Sequence, residues 1–173
     1  MKKIMILNGA AKKCGNTAEL IHAFTEGAKE AGHEVKEFYL QGMNIHGCLD
    51  CQGCKKLQPG VDSPCVQHDD MDEIYHTFAE TDVIVFASPI YWWSVSGPLK
   101  TTTDRLYGLF RNSSNSQYTK KESALLLTAG GPDYSQPLAW YEGFERYLGW
   151  KNLGEVCGIG KVEEAKALGA GIA

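Results

Sequence analysis

Short apolar runs recur along the chain, each followed by a stretch with helical spacing, and this alternation constrains the fold more than any single motif. KIMIL (residues 3–7) reads as a strand, and the turn-rich NGAAKKCGNT leads from it into AELIHAFTEGAKEAG. There Leu20, Ile21, Phe24 and Ala28 fall near helical spacing, with one costly internal glycine, Gly27. EVKEFYL follows as a strand whose charges leave one face or edge in water. DDMDEIYHTFAE is helical, with Met71, Ile74, Tyr75 and Phe78 on its apolar side, and DVIVFASP is a buried strand ending at a proline-containing loop. A helix after Pro98, an exposed excursion at RNSSNSQYTKK and a strand in ESALLLTAGG come next. A helix over 135–149, a weaker strand in KNLGEVCGIG and a short helical tail at VEEAKAL close the pattern. About five strands separated by helices predict an α/β doubly wound parallel sheet with helices on both faces, because long crossovers bring consecutive parallel strands together. One domain over 1–173 is expected, a natural size for one core.

A sheet of this kind binds ligands outside the carboxyl ends of its strands, so three loops become the candidate site. In NGAAKKCGNT, Gly9 and Gly15 allow tight turns, Asn16 and Thr17 can donate hydrogen bonds, and Lys12 and Lys13 add positive charge at a helix start. That is the make-up of a phosphate cradle, and equally of an ordinary strand-to-helix turn, since neither GxGxxG nor GxxxxGK[ST] is present. SPIYWWSVSGPLKTTTDR (88–105) offers backbone and flat apolar surface from Pro89 to Trp92, suited to an aromatic ligand, a core or an interface between subunits. TAGG (128–131) lets a ligand approach closely at Gly130 and Gly131, or simply turns the chain.

Between the second strand and the next helix lies a long cysteine-rich loop, about 41–67, containing GCLDCQGCKKLQPGVDSPC. Cys48, Cys51 and Cys54 are spaced by two residues each, and ten residues separate Cys54 from Cys65. Four thiolates suit an iron-sulfur cluster or zinc, close pairs suit a reversible disulfide, and the same cysteines can serve as metal-free loop residues. A loop of this length needs a bound group or packing against the core to order it. Asp69 and Asp70 read as helix-entry carboxylates, and Asp104 and Arg105 as ion-paired or hydrogen-bonded helix residues that fix loop and subunit geometry, with substrate contact as the other role open to them.

Taken in order, these segments resemble the flavodoxin-like NAD(P)H-dependent FMN reductase family, including its iron-sulfur flavoprotein relatives, over almost the whole chain. The resemblance implies a flavodoxin-like sheet in strand order 2-1-3-4-5. It implies FMN with its phosphate near Lys12, Asn16 and Thr17, and its ring system near Pro89, Ile90, Tyr91, Trp92, Gly130 and Gly131. Ala10 and Ala11 stand where the family often has Ser and Pro, which leaves the backbone donors in place. NAD(P)H is the implied electron donor, a flavin, quinone or other small molecule the acceptor, and a homodimer or tetramer the assembly. A non-enzymatic flavodoxin-like or iron-sulfur flavoprotein electron carrier, working with a redox protein, is the alternative. The relatives place a 4Fe-4S cluster on a compact cysteine triplet with a fourth cysteine soon after, and the ten-residue gap before Cys65 is longer than theirs. No side chain is assigned as a catalytic acid, base or nucleophile, since hydride chemistry belongs to the flavin. A formal net charge of -4 gives no electrostatic ground for binding nucleic acid or an acidic membrane. MKKIMILNG is too short for an apolar leader, so a cytoplasmic protein is expected.

Overall fold

The computed structural model describes residues 1–57, 63–111 and 120–173. The first long elements are β1 (Lys3–Asn8), α1 (Asn16–Glu30), β2 (Glu34–Tyr39), α2 (Met71–Glu80) and β3 (Val83–Tyr91). They are followed by β4 (Ser94–Val95), α3 (Gly97–Arg111), β5 (Glu122–Thr128), α4 (Ser135–Leu148), β6 (Lys151–Cys157) and α5 (Val162–Ala170). The sheet order is β2-β1-β3-β5-β6, all parallel, with β4 added antiparallel to β3. Set apart from the two-residue β4, the five long strands run in the expected 2-1-3-4-5 order. The extra strand was not anticipated, because two residues carry no periodicity. The excursion at RNSSNSQYTKK lies largely outside the described residues, but its last residue, Lys121, is buried where exposure was expected, because it already forms the entry to β5.

Period-2 alternation divides the core into two layers. Ile4 and Ile6 of β1, Val83 and Val85 of β3 and Leu126 of β5 are buried with Leu20, Ile21 and Phe24 of α1 and Ala165 of α5. The intervening Met5, Leu7, Ile84, Phe86, Leu125 and Leu127 meet α2, α3 and α4 on the opposite face. Each fully buried Leu, Ile or Phe contributes roughly 1.5–3 kcal/mol by leaving water, so a one-residue slip in register would exchange the layers and lose both. The charged edge strand β2 is largely exposed, as its composition requires.

Gly27, a propensity cost in α1, is explained by packing. A Cβ there would run into the carbonyl oxygen of Lys166 in α5, and one at Gly169 would run into the carbonyl oxygen of Phe24. The two helices meet backbone to backbone, and only glycine permits that approach. At the amino end of the sheet, on the α2 face, Lys121 is buried, donates to the Thr81 carbonyl and lies 5.0 Å over the Phe78 ring. Burial pushes its ammonium down to about 8, since one carbonyl and a ring face replace little of its hydration.

Candidate functional site

β1 ends in an Asn-Gly turn that its own side chains shape. Asn8 Oδ1 accepts the Ala10 N–H at 2.8 Å, and Asn8 Nδ2 donates to Glu37 of the neighbouring strand at 2.7 Å. Gly9 donates to the Ala87 carbonyl at 2.8 Å; a Cβ there would sit 2.5 Å from Ser96 Oγ and 2.8 Å from Leu99 Cβ, so the turn is pressed against α3. Gly15 precedes α1 at φ 146, a conformation open to glycine, and no side chain caps the helix. The first bond of the helix runs from Glu19 N–H to the Gly15 carbonyl, which leaves the N–H groups of Asn16, Thr17 and Ala18 at its start outside the intrahelical ladder.

Those three residues line a cavity of about 310 Å³ together with Lys12 and Cys14, closed on the sheet side by Pro89, Tyr91 and Thr128. The cavity therefore joins the positive end of a fifteen-residue helix, a lysine, and the carboxyl ends of β3 and β5. Thr17 is placed differently from expectation in one respect. Its hydroxyl is buried 2.6 Å from the Thr128 hydroxyl, so the residue ties α1 to β5, and its backbone is what it can offer a ligand. These donors, uncapped and convergent, fit a phosphate group.

The second part of the site is a hairpin. Ile90 pairs with Val95 and Tyr91 with Ser94, leaving Trp92 and Trp93 as a two-residue turn with φ of 50° and 59°. Asn-Gly is the usual choice in such a turn, and bulky residues there cost on the order of 1 kcal/mol each. Trp92 is 88% exposed. A second cavity, about 390 Å³, lies between this turn and the loop after β5, lined by Ile90, Trp92, Trp93, Gly130, Gly131 and Asp133. Neither glycine has any atom within 4 Å of where a Cβ would stand, so the floor is open. Consecutive residues at the end of β3 and the start of the turn thus face two cavities, Pro89 and Tyr91 the phosphate-like one and Ile90 and Trp92 the aromatic-walled one. No single cavity collects every predicted residue.

The cysteine loop is organised by α3. Arg105 is buried against Asp69, with side chains 1% and 3% exposed, and Nη1 donates to Asp69 Oδ2 at 2.8 Å while Nη2 reaches Oδ1 at 3.2 Å. The same guanidinium donates to the carbonyls of His46 at 2.8 Å and Gln67 at 3.4 Å, so one side chain holds both ends of the segment that carries the four cysteines. Asp69 also accepts the N–H groups of His46 and Met71, and Asp70 accepts that of Asn44. Burial alone would raise the Asp69 carboxyl, but the Arg105 bonds and the two N–H donors outweigh it and hold the group at about 2. Asp69 meets the helix-entry expectation by accepting the Met71 N–H, whereas the Asp70 carboxylate caps no helix N–H and goes to the loop at Asn44. Arg105 and Asp104 are both ion-paired, but with different partners, Asp69 and Lys100, and Arg105 is the one that fixes the loop.

Cys48 and Cys51 are exposed, and Cys54 and Cys65 are partly buried. Burial raises the Cys54 thiol, and the neighbouring thiols of Cys65, Cys48 and Cys51 add to it, so all four lie within electrostatic reach on one loop. Among the described residues no group of three or more His, Cys, Asp or Glu side chains stands at metal-holding spacing. The donor chemistry suits a thiophilic group, but the side chains do not form a ligand shell. His46 and His68 approach Asp69 and Asp72 at 3.5 and 3.1 Å.

The sequence reading gave no cavity role to Cys14, Thr128 or Asp133, and offered Trp93, with Trp92, only for a pocket between chains. Cys14, Trp93 and Thr128 all stand inside the three candidate loops, and their place at the carboxyl edge is the signal that marks them. The Thr17–Thr128 contact, linking positions 111 apart in sequence, carries no local signal.

Similarity to known proteins agrees with this geometry. An iron-sulfur flavoprotein of Archaeoglobus fulgidus is 35% identical over 106 residues, 61% of this chain and 46% of that protein. The chain spans about half the length of the first curated relatives it matches. YwqN of Bacillus subtilis, whose name assigns it provisionally to the NAD(P)H-dependent FMN-containing oxidoreductases, is 27% identical over 169 residues, 91% of this chain and 85% of that one. In structure, the NAD(P)H:quinone oxidoreductase from Methanothermobacter marburgensis superposes with a TM-score of 0.70 at 18% identity, covering 99% of each chain, a likeness of fold. Residues 2–137, which include β1 to β5 and both cavities, match the NADPH-dependent FMN reductase family, and the chain belongs to that family.

Proposed function

We propose that this protein is an NAD(P)H-dependent FMN oxidoreductase that passes electrons from a nicotinamide to a flavin, quinone or other small acceptor. The observation that carries this reading is the pair of adjoining cavities at the carboxyl edge of the sheet, one with uncapped helix N–H groups and Lys12, the other with aromatic walls and a bare glycine floor. Lys12 and the N–H groups of Asn16, Thr17 and Ala18 would hold the FMN phosphate. Ile90, Trp92, Gly130 and Gly131 would line the ring system, and Pro89 and Tyr91 the span between. Bound FMN supplies hydride acceptance from the nicotinamide and release of electrons to the acceptor. The chain's own work is positioning: Gly9 and Asn8 set the turn, Thr17 and Thr128 lock α1 to β5, and the tryptophan hairpin shields one face from water. The site is housed in one domain of a cytoplasmic homodimer or tetramer on this reading. No helix among the described residues is long and apolar enough to cross a membrane.

An iron-sulfur flavoprotein electron carrier is the second reading, favoured by the names of the relatives and by the gathering of four thiols on a clasped loop. The two separate in one experiment on anaerobically purified protein. FMN, iron and sulfide are counted, and flavin reduction by NADH and NADPH is followed by stopped flow. Stoichiometric FMN without iron, and rapid reduction by a nicotinamide, support the reductase. Roughly four irons and four sulfides per chain, with slow nicotinamide reduction, support the carrier, and failure to bind FMN overturns both.

A further inference from the structure

A third cavity, about 480 Å³, lies away from both of these, between the cysteine loop and the α3–α4 surface. One wall is aromatic, formed by Tyr107 and Phe110 of α3 and Phe144 and Tyr147 of α4, with Leu148 beneath. The facing wall is the cysteine loop, which contributes Cys48, Asp50 and Gln52. Its volume falls within the range of sites that enclose small molecules.

Two independent features mark this wall as built. Asp50 and Gln52 have φ of 48° and 58°, so the loop holds two non-glycine residues in the left-handed region, and both line the cavity. Such strain persists only where surrounding structure imposes it, and the Arg105–Asp69 clasp at His46 and Gln67 is that structure. The two strained residues also fix one another, since Gln52 Nε2 donates to Asp50 Oδ1 at 2.6 Å.

The charges select the ligand. Among the described residues the lining contains two carboxylates and no lysine, arginine or histidine. Asp104 is paired with Lys100 at 2.5 Å, whereas Asp50 has only the Gln52 amide and no ion-pair partner among the described residues. A carboxylate without an ion-pair partner among the described residues, lining a cavity with four aromatic rings, is the arrangement that recognises a cation through ring faces and opposite charge together. The geometry points to a second binding site on this protein, for a flat aromatic cation such as an N-alkylated pyridinium, between the cysteine loop and the α3–α4 aromatic surface. The site is independent of the flavin reading, because none of its residues lines either cavity at the carboxyl edge.

The test is calorimetric titration of the full chain, with FMN in excess, using N-benzylpyridinium as the probe and benzenesulfonate as the aromatic anion. Saturable 1:1 binding of the cation is expected, without binding of the anion. Tyr147→Ala removes a ring that is 79% exposed and leaves the core intact; Asp50→Asn removes the charge while asparagine keeps the left-handed backbone. Each is expected to weaken binding roughly fivefold, the scale of a moderately exposed cation–ring or ion contact. Absence of saturable binding, wild-type affinity in both variants, or equal affinity for benzenesulfonate would overturn the assignment.

Discussion

The phosphate-like loop after β1 and the cysteine loop after β2 leave the same edge of the same sheet, yet they are held by different means. The first is set by backbone against backbone and by small residues. Gly9 presses on Ser96 and Leu99, and α1 behind it locks onto α5 through Gly27 and Gly169. The second spans a long stretch and is fastened by one buried guanidinium, with strain tolerated at Asp50 and Gln52. A short loop inherits its shape from the elements it joins, whereas a long one must acquire a tether, and in this chain the tether is electrostatic.

That contrast can be broken most severely at Arg105. Arg105→Met strands the buried Asp69 carboxylate and frees both ends of the loop, and a loss of about 3–5 kcal/mol in urea unfolding is expected, with FMN titration of the remaining folded protein little changed. Gly27→Ala attacks the other region. Helix propensity alone predicts stabilisation, but overlap with the Lys166 carbonyl reverses the sign, and a loss of about 2–3 kcal/mol is expected. An equal or greater stability in that variant would disprove the backbone-level contact.

Acid sharpens the comparison without mutation. Asp69 is held at about 2 against an ordinary 3.8. A depressed carboxylate contributes stability that is present above its unfolded value and lost as pH falls through its folded one. Roughly 2 kcal/mol should therefore disappear between about pH 4 and pH 2, and Asp69→Asn should remove that part of the acid limb. Lys12→Ala, on the phosphate-like loop, should weaken FMN binding by roughly 1 kcal/mol, about fivefold, and leave unfolding unchanged.

The smallest effect lies remote from both loops. Lys121 is depressed to about 8 from 10.5, so the unfolded chain binds more protons than the folded one between those values, and stability rises as pH climbs through that window. Lys121→Met should flatten the alkaline rise and stabilise the protein at neutral pH by about 1 kcal/mol, read from denaturation midpoints at pH 7 and 10.

Much of this arrangement could be read from the chain. Strands with period 2 and helices with Leu20, Ile21 and Phe24 or Met71, Ile74 and Phe78 on one face carry their burial pattern in local spacing, so the α/β layering was legible. The candidate loops were legible too, because a strand end followed by Gly, Lys, Asn and Thr announces a turn with donors. β4 was not, since a Trp-Trp turn contradicts the usual chemistry of tight hairpins and only cross-strand pairing of Ile90 with Val95 imposes it.

By itself, then, the sequence determined which apolar faces are buried, where the chain turns and which loops leave the carboxyl edge, because those follow from periodicity and local conformational preference. Tertiary structure alone decided that Gly27 is a contact and not a flaw, that Thr17 spends its hydroxyl on Thr128, and that Arg105 gathers both ends of the cysteine loop. These are pairings between residues distant along the chain, whose energies depend on burial and close approach, and neither quantity exists until the sheet has formed.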